Sequence, residues 1–191
     1  VAAEVVELAA ERLAQGIVGI DLAGNEADFP AAPFVPLFRE AKQAGLHVVV
    51  HAGEWNGAQN VAEAIQEIGA ERIGHGIRVM EDPAVVALAR ETGTPFEVCI
   101  TSNYQSGVVK SLPDHPIRRM ADAGLNVTIN TDDPSISAIT LSEEYRVAHH
   151  ELGFSSQELH NCIIRAAQAS FLPDHERIEL LAGLASDFLA S

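Results

Sequence analysis

The sequence predicts an α/β fold built on parallel strands. Three observations carry that reading. Five short apolar stretches end in small, polar or ionisable residues: GIVGIDLAGNE (16–26), HVVVHAGE (47–54), RIGHGI (72–77), PFEVCITSN (95–103) and LNVTINTDDP (125–134). Helical patterns separate these stretches, the alternation expected of βα units. The ionisable residues fall where predicted strands end, and chemistry at the C-terminal ends of parallel strands is the arrangement of a (β/α) barrel. A doubly wound five-stranded sheet also fits the count. Such a sheet normally carries a Gly-rich phosphate turn, and neither G-x-G-x-x-G nor G-x-x-x-x-G-K-[ST] occurs here.

The elements follow in order. Residues 1–15 read as an amphipathic helix with Gly16 at its C-terminal boundary. Strand 17–23 comes next. Pro30, Pro33 and Pro36 mark a loop, and FVPLFREAKQAG then reads as a helix ending at Gly45. Strand 47–51 is a run of β-branched residues, as expected when both faces are buried. Residues 58–69 predict a helix and 73–75 a strand. Asp82-Pro83 opens a helix through about Arg90, with Pro in its first turn. Gly93 and Pro95 lead into strand 95–100. After a turn at 111–116, IRRMADAG is a helix stopped by Gly124, and strand 126–131 follows. Residues 139–152, 155–169 and 173–188 all read as helices, with Ser155 and Ser156 as caps for the second. No linker divides the chain, so residues 1–191 are expected to form one catalytic-domain segment.

The composition excludes several functions. With 191 residues and 47% apolar content, the chain is long enough for a sizeable core. A formal net charge of −15 argues against binding a nucleic-acid backbone, which needs clustered Lys and Arg. No apolar run is long enough to span a membrane. The acidic first residues lack the basic start of a signal peptide. The chain does not begin with Met, which fits a segment of something longer. Cys99 and Cys162 form no metal-type pair and are expected to be buried thiols in a reducing, cytoplasmic setting.

Candidate chemistry sits at the predicted strand ends. His51, His75, Asp132 and Asp133 close three different strands, and Glu54 follows the first. A catalytic zinc takes nitrogen and oxygen ligands, and His51 and Asp132 are suited to supply two of them. A nearby Glu can move a proton, and a second His can orient the attacking water. Two adjacent Asp after VTIN would place like charges in a mostly apolar setting, which a cation would relieve. In DLAGNE, Gly24 lets a planar ligand approach bare backbone. Trp55 and Phe34 could supply apolar walls. Thr101 to Asn103 form either a polar rim or a cap. His47 stands at a strand start, on the stability face. His115, His149, His150, His160 and His175 read as surface residues.

DLAGNE, HAGE, RIGHGI, CITSN and TINTDDPSIS, in this order, resemble the second half of the adenosine deaminase family of zinc hydrolases. The resemblance covers about residues 1 to 170. It implies an eight-stranded (β/α) barrel, of which this chain supplies about strands four to eight plus C-terminal helices. It implies Zn2+ as cofactor, with His51 and Asp132 as ligands. Glu54 would protonate the purine ring, and His75 would stabilise the developing alkoxide. Gly24 and Asp133 would bind the base. The implied reaction is hydrolytic deamination of adenosine or 2'-deoxyadenosine to inosine and ammonia. Adenine, a modified adenosine or a non-catalytic purine-binding role are the alternatives.

Two departures stand out. The family carries two further zinc ligands as an H-x-H pair, and no H-x-H occurs in these residues. Ile100 stands where the family commonly has Pro. The expected partner is a small purine nucleoside, with no nucleic acid and no membrane. A half barrel would leave sheet edges open. Self-association, or pairing with a missing N-terminal half, is therefore expected.

Overall fold

The computed structural model describes residues 1–190. They fall into two compact units, Val1–Phe96 and the chain from Glu97 onward.

The first unit carries three strands, β1 (Gly19–Leu22), β2 (His47–Ala52) and β3 (Arg72–His75). They are adjacent and parallel, with Gly19 opposite His47, and His51 opposite Gly74. Val48, Val49 and Val50 are all buried, as the unbroken apolar run in β2 predicts for a strand covered on both faces. Helix α1 (Ala2–Ala10) turns its Val6, Ala9 and Ala10 inward. That stripe packs with Ala41, Leu46 and Ile20. The predicted helix over 1–15 is broken: α1 ends at Ala10, and a 3₁₀ turn, Leu13–Gln15, leads to a left-handed Gly16. Helix α2 (Val35–Gln43) follows the Pro-rich loop. Helix α3 (Ala58–Glu63) runs on into a π-helical turn, Ala64–Ile68, so the predicted 58–69 helix has two geometries. Helix α4 (Pro83–Thr92) starts on Asp82, whose carboxylate accepts from the Ala84 N–H, with Pro in the first turn.

The unit boundary falls inside β4 (Pro95–Val98). In the second unit β4 neighbours β5 (Asn126–Ile129), and the Asn130 N–H donates to the Val98 carbonyl. The predicted strand 95–100 is too long. Ile100 already begins a helix, α5 (Ile100–Gln105), so Thr101 to Asn103 sit on its first turn. Helix α6 (Ile117–Asp122) precedes β5, and a short helix absent from the sequence reading, α7 (Pro134–Ser137), follows it. Helices α8 (Leu141–His150) and α9 (Ser156–Ala169) both open on capping boxes, Thr140 with Glu143 and Ser155 with Glu158. Helix α10 is Asp174–Ala190. Phe154 and Leu125 are buried in this unit, as are Met120 and Ile129. The Arg118 guanidinium lies 4.7 Å over the Phe154 ring. Cys99 and Cys162 are both buried, and burial pushes the Cys162 thiol up to about 11. Among the described residues, no helix is long and apolar enough to cross a membrane.

Candidate functional site

The first unit brings together three of the sequence-chosen residues. His51 lies one residue before the end of β2, Glu54 just beyond it, and His75 ends β3. The two imidazole rings are 5.2 Å apart between centroids. Glu54 Oε2 lies 3.7 Å from His75 Nε2. Both side chains are withdrawn from water, at 12% and 3% exposure, so charge on either is weakly screened from the other. The His51 ring fits because residue 74, directly opposite, is Gly. A Cβ there would stand 2.8 Å from His51 Nδ1.

His51 Nδ1 sits 3.0 Å from the Asp21 carboxylate. That pairing places the ring proton on Nδ1 and the lone pair on Nε2, the usual preparation of a metal-holding imidazole. Asp21 was not singled out from the sequence, although it heads the DLAGNE motif. Glu26, at the end of that motif, was also missed. Its carboxylate accepts from the N–H groups of Gly53, Glu54 and Trp55 at 2.8, 2.6 and 2.6 Å. Asn56 N and Asn60 Nδ2 donate to it at 3.2 and 2.9 Å.

Gly24, Phe34 and His51 line a cavity of about 270 Å³, together with Leu22, Phe29 and Ala52. Its wall is mostly apolar. Phe34 thus takes the place expected of it. Trp55 lines a second, more open cavity with Gly24, Asn25 and Ala27, and is 45% exposed.

In the second unit, Asp132 and Asp133 follow β5 and precede α7. Both are exposed, which corrects the expectation of an apolar setting: the turn carries them out of the sheet before the charges begin. Ser102 Oγ donates to Asp132 Oδ2 at 2.7 Å. Glu144, fully buried, accepts from the N–H groups of Ile100 and Thr101 at 3.0 and 3.2 Å. Burial raises its carboxyl above the ordinary range, against the pull of those donors. His115 is no surface residue. It is 2% exposed, takes the Ile117 N–H on Nδ1 at 3.1 Å, and faces Asn103 Oδ1 with Nε2 at 3.3 Å. Its buried polar bonds hold α5 to the start of α6. His47 meets Glu71 at 2.6 Å at the opposite end of β2 from His51.

His75 and Asp132 both have left-handed backbone, with φ of +58° and +59°. Among the described residues only Ala138 joins them as a non-glycine of that kind. Such strain gathers where function over-determines the backbone.

Parallel strands with imidazoles at their C-terminal ends are the arrangement of a (β/α)-barrel enzyme. The solved structures this chain resembles agree. An adenine deaminase from Arthrobacter aurescens superposes with a TM-score of 0.91 at 32% identity, covering 100% of this chain and 58% of that one. An amidohydrolase from Burkholderia ambifaria, with bound Zn, also gives 0.91 at 26% identity, covering 98% and 52%. Within that class, the adenosine deaminase family model matches residues 1–187, and the chain belongs to the adenosine deaminase family. The adenosine deaminase of Erwinia tasmaniensis is 42% identical over 171 residues, which is 90% of this chain and 52% of the relative. The chain spans about half the length of the curated relatives it matches.

Proposed function

We propose that this chain acts in the zinc-dependent hydrolytic deamination of adenosine or 2'-deoxyadenosine to inosine and ammonia. The observation that carries the reading is the His51, Glu54 and His75 cluster in the same unit as a cavity walled by Gly24, Phe34 and His51. A planar base suits that apolar wall, and the ionisable groups can act on its amino-bearing carbon.

The donor types fit zinc. His51 is oriented by Asp21, and the Asp132 carboxylate is held by Ser102, the two kinds of outer partner that ligating groups carry. His51 and Asp132 are the ligands assigned from this chain. A catalytic zinc normally takes three protein ligands, so the reading needs further donors besides these two. Bound zinc supplies a water acidified toward neutral pH.

The chain's own groups do the rest. The Gly24 N–H and Asp133 bind the base at its pyrimidine-ring and imidazole-side nitrogens. Glu54 gives its proton to the ring nitrogen beside the reacting carbon as the water oxygen bonds to that carbon. His75 donates a hydrogen bond to the oxygen as it gains charge. The carbon–nitrogen bond then breaks as a carbon–oxygen double bond forms: the departing amine takes one proton that began on the water, the other returns to the Glu54 carboxylate, and ammonia leaves. The Arthrobacter neighbour favours a second substrate, adenine itself.

Glu54→Gln tests the acid role. Turnover should fall by about 10²- to 10⁴-fold, the usual worth of a general acid, while zinc per chain stays the same. Turnover at the wild-type rate would sink the assignment. Parallel assays with adenosine and adenine rank the two substrates.

A further inference from the structure

We propose that Glu26 is a positioning residue that holds the proton donor Glu54 in register with Gly24. The inference rests on the proposed function and deepens it. Glu26 stands two residues after Gly24, at the end of the turn that leaves β1. Its carboxylate reaches the separate turn that leaves β2 and accepts from four successive backbone N–H groups, Gly53 through Asn56, and from Asn60 Nδ2. Successive N–H groups aimed at one anion form a nest, and here the anion belongs to the protein. Oε1 takes Glu54, Trp55 and Asn56; Oε2 takes Gly53 and Asn60.

One carboxylate therefore ties the turn carrying the base-binding Gly24 to the turn carrying Glu54. The bond to the Glu54 N–H itself is among the shortest of the five, at 2.6 Å. Asn60 Nδ2 adds an anchor from the first turn of α3. A proton donor displaced by about an ångström loses on the order of a hundredfold in rate, so a clamp on its backbone bears directly on the reaction.

Glu26→Gln is the decisive substitution, because its shape is kept and its chemistry is not. A carboxylate has two acceptor oxygens, whereas an amide has one acceptor and one donor. With the amide oxygen in the Oε1 place, the NH₂ group faces the Gly53 N–H and Asn60 Nδ2, so donors meet a donor. Flipping the amide sets it against three N–H groups instead. Asn60→Asp added to Glu26→Gln supplies an acceptor for that NH₂.

The experiment uses the full natural polypeptide, loaded with zinc. It measures kcat and KM for adenosine, zinc per chain, and amide hydrogen exchange at residues 53–56. In Glu26→Gln, kcat should fall on the order of a hundredfold, with KM within a few-fold and zinc unchanged. Exchange at 53–56 should quicken, and the added Asn60→Asp should recover part of kcat. Wild-type kcat, or wild-type protection at 53–56, overturns the proposal. So does a loss of activity that merely follows the folded fraction. If the wild-type protein turns over no 6-aminopurine but loses protection at 53–56 on Glu26→Gln, the clamp stands and the proposed function fails.

Discussion

The two units solve one problem in opposite surroundings. Each holds a stretch of backbone beside a proposed site residue with a single glutamate. In the first, Glu26 gathers five donors on a partly exposed loop. In the second, Glu144 serves the N–H groups of Ile100 and Thr101 and sees no solvent. The donors differ accordingly. Trp55 and Asn56 lie where water can replace a lost acceptor, whereas Ile100 is wholly buried. An unmet buried donor carries its full desolvation penalty, and an exposed one does not. The same bond thus serves precision in one unit and stability in the other.

The largest effect expected from that contrast is on folding. Glu144→Ala should destabilise the protein by about 2–6 kcal/mol, from two amides left without an acceptor. Glu26→Ala should cost less, about 1–3 kcal/mol, because water takes over at Trp55 and Asn56 and only the buried Gly53 N–H goes unmet. Urea unfolding of the two variants measures both, and equal losses would break the comparison.

Next in size is Ser102→Ala. It leaves the fold intact and removes the hydroxyl that holds Asp132. Zinc affinity should drop about 10- to 100-fold, read by competition with a chelator. An unchanged affinity would remove Asp132 from the ligand set or Ser102 from its support.

The smallest effects are in pH. Glu144 titrates higher in the folded protein than its ordinary 4.5, so the folded state keeps a proton that the unfolded chain releases. Its stabilisation is full below that ordinary value and is lost as pH rises through the raised one. Glu158 goes the other way. Arg118, 2.7 Å away, lowers it to about 2. That contribution is present above 4.5 and is lost as pH falls toward 2. Glu158 is substantially exposed, so its part is small. Urea midpoints across acid to neutral pH should lose their alkaline-side decline in Glu144→Gln and part of their acid-side decline in Glu158→Gln.

Much of this was legible from the sequence. The β-branched run at 47–51 and the apolar runs before Asp21 and Asp132 located strands, because burial writes itself into local pattern. Ser155 announced a helix start as a cap, and the structure completes it with Glu158 three residues on. What escaped depends on partners far along the chain. Glu26 finds its donors 27 to 34 residues later, and Glu144 finds its own 43 and 44 residues earlier. His115 looked like a loop residue because only the fold brings Asn103 to it. CITSN misled for a local reason: Val98 and Ile100 alternate as in a strand, yet the carboxylate of Glu144 caps the backbone there and starts a helix. The roles of His51, Glu54 and His75 came from resemblance, and the structure adds Asp21 and Glu26 behind them.

The left-handed backbone at His75 and Asp132 bears on how this chain can change over generations. Glycine or asparagine sits in that conformation with less strain than most other side chains, so drift under selection for folding alone would favour them there. Either replacement removes an imidazole or a carboxylate. Asp132 is exposed, so relief there comes with little packing loss, whereas His75 is buried and its removal would open a cavity. A lineage released from selection on activity should lose the Asp132 side chain early, while His75 and Glu144, both buried, persist.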